Sequence, residues 1–402
     1  MTLLDFFSYY KVMIRIILII SLCFVPLLKA QTQEQAKNTR VINVLYLKIQ
    51  QAERPLLSNL APIPENLGLK GAELGVADNN TAGSFLGYMF HLDVAIFAQG
   101  DVESAQIAID HSNAKYVLLD MNAEEQLIVA GNEQRLFFNV KSYDDRLRND
   151  ACRVNLLHTI PSYAMRSDAF MQFLIKKKWN RIHLLEGNSE EDALFAQALR
   201  RSAKKYQLQF KQESKWILDG DLRRQASSEV SLLTQKFGKY DVLFVADEWN
   251  DFARYIAYNT WLPRPIFGGD GLQSLAWSSV FEQWGSAQLQ SRFESLGERS
   301  MQSEDYAAWV ALRAIDEANI KTGFATLPDQ IGYLLNELQL AGFKGRPLSF
   351  RAWNGQLRQP MGLAHQSALV AMAPLDGFLH SRNELDGLGY DKPESNCKAF
   401  EE

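Results

Sequence analysis

The sequence lacks the motifs by which several common enzyme classes are recognised. No G-x-G-x-x-G opens a helix after the first strand-like run, which argues against dinucleotide binding, and no G-x-S-x-G turn indicates a hydrolase. The six histidines are widely spread and form no close group with cysteine, so we expect no metal site. These absences predict that the chain is not an enzyme and has no cofactor of its own.

Concentrated positive charge is also missing. Lys and Arg number 42 against 47 Asp and Glu, which gives a net charge of −5, and the two signs are interspersed. Nucleic-acid binding requires a concentrated basic surface, so we expect no nucleic-acid partner. A composition of 47% hydrophobic and 22% charged residues is typical of a globular protein, and 402 residues are enough for two lobes.

Long apolar runs are absent except for one near the N-terminus. That run begins at Ile16, follows Lys11 and Arg15, and is succeeded by Ala30 and a polar segment. This order of charged, apolar and small residues is typical of a secretory signal peptide, and the run is short for a stable membrane span. We therefore predict cleavage near Ala30, and a mature chain that is exported and not embedded in a membrane.

Export decides how the cysteines are interpreted. Whether translation begins at Met1 or Met13 stays open, but Cys23 leaves with the leader in both cases, so the mature chain keeps Cys152 and Cys397. Two cysteines in an oxidising compartment favour a disulfide, with two unpaired thiols as the alternative. An unstrained disulfide closing so long a loop contributes roughly 5 kcal/mol. We predict this pairing, which ties the tail to the middle of the chain.

Short apolar runs alternate with amphipathic segments along the mature chain. "VINVLYLKI", "YMFHLDVAIFA", "YVLLD" and "RLFFNV" form one set, and "RIHLLEG" and "YDVLFVAD" belong to a second set. Near-continuous apolar strands separated by helices predict an α/β protein with two doubly wound parallel sheets. We expect helices at 163–178, 304–322 and 327–342, and a β-rich end with a turn at Asn354-Gly355.

Two such sets in an exported chain indicate a bilobal binding protein. In open α/β sheets the ligand binds at the carboxyl ends of the strands, so the two sets of loops are expected to face a shared cleft. A hinge would then close the two lobes around a small molecule.

Several segments resemble the type I periplasmic solute-binding proteins of ABC importers, the branched-chain amino-acid-binding class. "GAELGVADNNTAGSFLG" is similar to the first helix and turn of that class, and "LLHTIPSYAMRSDAFMQFLIKKKWNRIHLLEG" to its crossover strand and the helix after it. A closer resemblance is to the subfamily encoded alongside pyrroloquinoline quinone-dependent alcohol oxidation. It is carried by "HTIPSYAM", "FGGDGLQSLAW", "EQWGSAQLQSRF" and "EDYAAWVALRAIDEA".

The resemblance implies two lobes joined by three crossover segments. Residues 1–30 are then the signal peptide, 31–156 with 279–343 the first lobe, and 157–278 with 344–402 the second lobe. It also implies a periplasmic location, a small-molecule ligand, an importer permease as partner and no chemistry on the ligand. We expect a monomer. The cysteine pairing has no support from the family.

In the amino-acid-binding class, first-lobe ligand contacts come from the loops after the third and fourth strands. Asn122 has a second possible use, as the cap of the helix that follows it. We expect 145–148 to be a solvated rim. The candidate ligand-binding residues of this lobe are Asp120, Asn122, Lys141, Ser142, Tyr143 and Asp144.

The corresponding second-lobe loops follow three strands of the second set. In the class, acidic groups there meet the ligand ammonium, and an aromatic ring such as Trp249 can stack on a ligand. Asp247 has the alternative role of a helix cap, and Trp249 that of ordinary packing. The candidate residues of this lobe are Asn188, Asp247, Glu248, Trp249 and Asp270.

The resemblance leaves the ligand open between two chemistries. Pyrroloquinoline quinone, or a metabolite linked to its alcohol oxidation, is one possibility. The tricarboxylate quinone would need Lys141, Arg146 and Arg148 together with the plane of Trp249. An amino acid would instead use hydroxyls, backbone groups and an acid of the second lobe. A sensory protein that passes its ligand signal to a receptor also stays open.

Overall fold

The computed structural model describes residues 39–52, 62–132, 134–217 and 222–401. The predicted signal peptide, residues 1–30, lies outside these ranges. Within them, no helix combines the length and the apolar character that crossing a bilayer requires.

Five parallel strands form the first sheet, in the order β2-β1-β3-β4-β5. The inner strands β3 and β4 are buried along their whole length, because helices cover both faces of their apolar runs. The elements are β1 (Arg40–Ile49), α1 (Leu69–Leu86), β2 (Tyr88–Phe97), α2 (Val102–His111), β3 (Tyr116–Asp120), α3 (Ala123–Val129), β4 (Leu136–Asn139) and β5 (Leu156–His158).

A second parallel sheet has the order β7-β6-β8-β9. Its helix α5 begins with the capping box that the spacing of Ser189 and Asp192 indicates, in which each side chain accepts from the backbone of the other. The elements are α4 (Tyr163–Lys177), β6 (Ile182–Glu186), α5 (Glu190–Lys205), β7 (Phe210–Lys215), α6 (Leu222–Gln235), β8 (Val242–Ala246), α7 (Ala253–Ile256) and β9 (Ile266–Phe267).

The rest of the chain adds helices to the first sheet and two small antiparallel sheets, β10-β14-β15 and β11-β12-β13. The predicted turn at Asn354-Gly355 is confirmed between β12 and β13. The elements are β10 (Gln273–Leu275), α8 (Ser286–Gly297), α9 (Ser303–Lys321), α10 (Leu327–Asn336), β11 (Leu340–Ala341), β12 (Pro347–Phe350), β13 (Leu357–Arg358), β14 (Met361–His365) and β15 (Ala368–Ala373).

One predicted helix is too long. The helix expected over 327–342 ends at Asn336, because Leu340 and Ala341 pair with Leu348 and Pro347 as strand β11. Local helix propensity is overridden here by strand pairing with a later segment.

The lobe boundary expected at 343–344 stays a prediction. Leu348, Phe350 and Leu357, which follow that point, pack in the same apolar cluster as Phe138 of the first sheet. Strands β12 and β13 therefore lie with the first sheet, which we call lobe 1. The β6–β9 sheet, with α4 and β14, forms lobe 2.

In the described part of the chain, one buried lysine connects three segments that pass between the two lobes. The Lys344 ammonium donates to the Ala276 carbonyl at 3.0 Å, the Gln359 side-chain oxygen at 2.7 Å and the Pro360 carbonyl at 3.0 Å. The Gln359 amide nitrogen then donates to the Thr159 carbonyl at 2.8 Å. Burial lowers the pKa of Lys344, because enclosure disfavours the charged form, and these three oxygens are the hydrogen-bond acceptors of its enclosed nitrogen.

Cys152 and Cys397 form a disulfide, the pairing that the sequence predicts, with their Cα atoms 5.6 Å apart. It joins the segment between β4 and β5 to the C-terminal tail.

Helices α1 and α9 approach so closely that only glycine fits between them. A Cβ built on Gly71 would lie 1.9 Å from the Asp305 carbonyl oxygen, which is backbone and cannot turn aside. We expect Gly71→Ala to lower the free energy of unfolding by about 1–3 kcal/mol.

The matched control is Gly332→Ala in α10, where a Cβ meets nothing within 4 Å. That change should raise the free energy of unfolding by up to about 1 kcal/mol, since alanine favours helix. Urea unfolding of both variants measures the difference. Equal effects would show that the α1–α9 contact does not constrain the fold.

Candidate functional site

Tyr143 lies where the loop after β4 meets the first turn of α4. Its ring centroid is 5.6 Å from that of Tyr163, and the Tyr163 backbone N–H donates to the Tyr143 carbonyl at 2.9 Å. Tyr143 packs against the apolar clusters of both lobes. The loop after a lobe 1 strand and the helix that opens lobe 2 therefore share one surface at this residue.

An arginine that the sequence analysis did not select lies beside it. The Arg166 guanidinium carbon is 5.0 Å from the ring centroid of Tyr143 and 4.7 Å from that of Phe195, and both distances suit cation–π contact. Two of its nitrogens donate to the Glu248 carboxylate at 2.6 and 3.0 Å. Glu248 is thus a partner of Arg166, on the loop after β8.

This ion pair is shielded from water. The Arg166 and Glu248 side chains are only 7% and 16% exposed. Burial opposes the charge of Arg166, but the Glu248 carboxylate outweighs it and raises the pKa of the guanidinium. Arg166 therefore keeps its positive charge beside the Glu248 carboxylate.

A second pair flanks Tyr143 from lobe 1. The Lys141 ammonium is 3.7 Å from the Glu304 carboxylate, on the first turn of α9. Burial, and then the negative charge of Glu304, raise the pKa of Tyr143, so its hydroxyl stays protonated. Two ion pairs, each without net charge, thus lie beside the uncharged hydroxyl of Tyr143.

The loop that carries Lys141 to Asp144 is shaped by Asn139, which the sequence analysis also missed. The Asn139 side-chain oxygen accepts from the Ser142 backbone N–H at 2.8 Å, and its nitrogen donates to the Ser142 carbonyl at 2.8 Å. An Asn at the end of a buried strand is the local signal that was available, because such residues often bond the turn that follows.

Three of the predicted acids are engaged within the protein. Asp120 accepts from the Tyr46 hydroxyl at 2.7 Å, and Asp144 is 4% exposed and accepts from Arg146 at 2.6 Å. Asp247 accepts three backbone N–H bonds from 251–253, the capping role named as its alternative.

The other predicted residues are spread around the loops. Asn122 caps α3 in a capping box with Glu125, its alternative role. Asn188 donates to the Trp216 carbonyl at 3.2 Å, and the Trp249 indole N–H donates to Glu191 at 2.8 Å, while Asp270 is exposed. Ligand contact by the eleven candidate residues stays a prediction.

The expectation of a solvated rim at 145–148 is wrong for Leu147 and Arg148, which are buried, whereas the Arg146 side chain is 42% exposed. Arg148 is 1% exposed and burial lowers its pKa to about 10. Its guanidinium donates to the Gln356 side chain and to the carbonyls of Ser142, Asp144, Ile160 and Pro161. A charge-dense sequence does not reveal this, because four of the acceptors are backbone carbonyls, which any residue type can supply, and the fifth is a side chain 208 residues away.

The groups of this candidate site are of kinds that can hold a ligand by stacking and by charge. Aromatic rings and two ion pairs meet at the carboxyl ends of parallel strands, where α/β proteins bind ligands. Among the described residues, no three His, Cys, Asp or Glu side chains converge as metal ligands.

Comparison with known proteins supports the architecture. No protein-family model matches the chain, and no curated protein sequence matches it. A branched-chain amino acid ABC transporter periplasmic ligand-binding protein from Burkholderia xenovorans LB400 superposes with a TM-score of 0.69 at 14% identity, over 90% of this chain and 100% of that one. A periplasmic binding protein from Burkholderia mallei gives 0.66 at 13% identity, over 90% and 99% of the two chains.

The chain has the type I periplasmic-binding-protein fold. A solute-binding protein of an ABC transporter from R. palustris, solved with benzoate, shares this fold with a TM-score of 0.63 at 10% identity, over 89% and 99% of the two chains. The type I fold joins two doubly wound lobes, as the sequence predicts. At these identities the similarity establishes the fold alone.

Removing the carboxylate of Glu248 leaves the Arg166 charge buried without its counterion. We expect Glu248→Gln to lower the free energy of unfolding by about 3 kcal/mol. The control is Glu73→Gln, whose pair with Lys70 is more exposed, at 34% and 27%, and should cost under about 1 kcal/mol. Similar losses in urea unfolding would contradict a buried ion pair at the site.

Asp145 predicts a pH dependence of stability. Its carboxylate accepts from the Ala164 N–H at the start of α4, and burial raises its pKa to about 6. In the unfolded chain its pKa is about 3.9, so between about pH 4 and 6 the native state holds more protons. Its contribution therefore makes the free energy of unfolding fall as pH rises through that window, by about 2 kcal/mol in all.

Asp145→Asn should remove this component, while Asp150→Asn, at an exposed position, should keep it. Urea unfolding of both variants and the parent at pH 4 and pH 7 measures it. The assignment fails if Asp145→Asn retains the parental difference between the two pH values.

Proposed function

We propose that the chain is the periplasmic solute-binding component of an ABC importer. It would capture a small molecule between its lobes by hinge closure and deliver it to a permease as a monomer. The observation that carries the proposal is the meeting of Tyr143 from lobe 1 with Tyr163, Arg166 and Glu248 from lobe 2. Ligands of open α/β sheets bind at such carboxyl-end loops. The names of the solved structures that share the fold support the transport role.

We infer binding without chemistry and without a cofactor of the protein's own. General acid–base catalysis relies on titratable groups within reach of a reacting atom. His158 is fully buried beside Asn139, and burial lowers its pKa, so its imidazole is neutral and enclosed. The charged groups around Tyr143 are held in ion pairs, which suits recognition.

The two neutral ion pairs favour a ligand with both signs of charge. An amino acid brings an ammonium and a carboxylate, which can exchange partners with Lys141–Glu304 and Arg166–Glu248 and leave no net charge. A trianion would meet two carboxylates in place and add negative charge to a shielded region. The ligand that we propose is therefore a small zwitterion of the amino-acid kind.

Pyrroloquinoline quinone is the second ligand candidate, with short acids linked to its alcohol oxidation beside it. Of the three cations that the quinone would need, Arg146 is held by Asp144 and Glu124. Arg148 is enclosed by carbonyls, and Lys141 is paired with Glu304. This arrangement supports ranking the amino acid above the quinone.

A ligand screen by thermal shift and calorimetry on residues 31–402 tests the proposal. Leucine, benzoate and pyrroloquinoline quinone are the first probes. A true ligand at a hundred times its dissociation constant should add about 2.7 kcal/mol of stability. Stabilisation by the quinone and not by leucine would reverse the ranking of ligands. Turnover of any probe by the purified protein would overthrow the binding-only function.

Lys141→Ala and Trp249→Ala locate the binding. Both should weaken a ligand that binds between the lobes. The controls are Lys115→Ala, an exposed lysine at the opposite end of strand β3, and Trp261→Ala, an exposed tryptophan beyond α7. Equal loss of affinity in variant and control would place the ligand elsewhere.

A further inference from the structure

The C-terminal tail, residues 374–401, follows strand β15 and contacts both lobes. The Gly387 carbonyl accepts from Gln172 of α4 at 3.0 Å and from the Tyr206 hydroxyl at 2.9 Å. The Gly389 N–H donates to the Asp168 carboxylate of α4 at 2.8 Å. This part of the tail is docked on helices α4 and α5, and it also contacts lobe 1, because Asp386 accepts from Arg351 at 2.9 Å and from Arg358 at 2.7 Å.

The last of these lobe 2 contacts is an ion-pair network. Glu394 accepts from Arg201 at 2.8 Å and from Lys205 at 3.0 Å, two cations one helical turn apart on α5. Both cations also bind Asp168, which is fully buried. Charges that share partners in a network are harder to separate than an isolated exposed pair.

A few residues after Glu394 the tail is joined to lobe 1 by a covalent bond. Cys397 is bonded to Cys152, in the segment between β4 and β5 of the first sheet. The Asn396 N–H donates to Asn149 at 2.6 Å, and Phe400 packs on the lobe 1 apolar cluster. The tail thus holds both lobes, and its links to lobe 1 are ion pairs at Asp386 and a covalent bond at Cys397.

The segment that joins Glu394 to Cys397 is short. Glu394 and Cys397 are three residues apart, and an extended chain spans at most about 11 Å over three residues. Any separation of the lobes that stretches this span further must break the network around Glu394 or the disulfide. Rupture of several shared ion pairs and hydrogen bonds opposes that motion.

We propose that the tail is a fourth connection between the lobes, a covalent strap that limits how far they separate. The other three are the crossing segments that meet at Lys344. The strap rests on the lobe motion of the proposed function and not on the identity of any ligand. Its effect is on the ligand-free protein, whose lobes stay closer together than three crossings alone would hold them.

Two variants release the strap in different ways. Both also carry Arg351→Met, Arg358→Met and Asp386→Leu, an apolar replacement of the ion pairs that join the tail to lobe 1 upstream of Glu394. A variant with these three changes alone should keep the parental radius of gyration. Cys152→Ser with Cys397→Ser removes the covalent end at lobe 1. Insertion of Gly-Ser-Gly-Ser between Ser395 and Asn396 keeps the disulfide and both anchors but lengthens the span by about 13 Å. The matched control is Glu213→Gln, which removes a lobe 2 ion pair with Arg200 that does not cross between lobes.

Small-angle X-ray scattering of the ligand-free, full mature chain measures the separation, and thiol titration verifies the disulfide in the insertion variant. We expect a larger radius of gyration in both released variants and the parental value in Glu213→Gln. If the double serine variant does not fold, the insertion variant decides alone. A parental radius of gyration in the insertion variant overturns the strap. Because no ligand is added, this result is independent of the ligand screen.

Discussion

The buried guanidinium of Arg148 is the interaction on which the arrangement between the lobes depends. It contributes five hydrogen bonds, to the loop after β4, to the first crossing segment and to the Gln356 side chain. A charged group is tolerated inside a protein only when its donors are satisfied, so all of these acceptors must be present together. Because Tyr143 lies within the loop that these bonds hold, Arg148 helps to fix the position of the candidate site.

The same principle extends along the junction between the lobes. Lys344 binds carbonyls of two crossing segments, and the Gln359 side-chain amide donates to a carbonyl of the third. The two sheets are assembled by apolar burial, which is strong but not directional. Buried polar groups with one satisfied arrangement define how the sheets are joined, and the Cys152–Cys397 disulfide adds a covalent link beside them.

Much of the architecture follows from local patterns. Apolar runs of strand length and the helices between them predict the parallel sheets, because that pattern is stable only when helices cover both faces. The capping box at Ser189 is equally local. The helix expected to reach residue 342 shows the limit, since pairing of Leu340 with Leu348 replaced its last turn. Local patterns do not report which distant segment will compete for a backbone.

By itself, the sequence determined the fold class and the pairing of Cys152 with Cys397. It also predicted an export signal and the loops in which a site is expected. Only the tertiary structure decided which charges in those loops face the site. Asp144 and Arg148 bond to other groups of the protein, whereas Arg166, on helix α4, lies at the centre of the candidate site with Glu248. The physical reason is that the role of a charge depends on its partner and its burial, and the partners here are up to 208 residues apart.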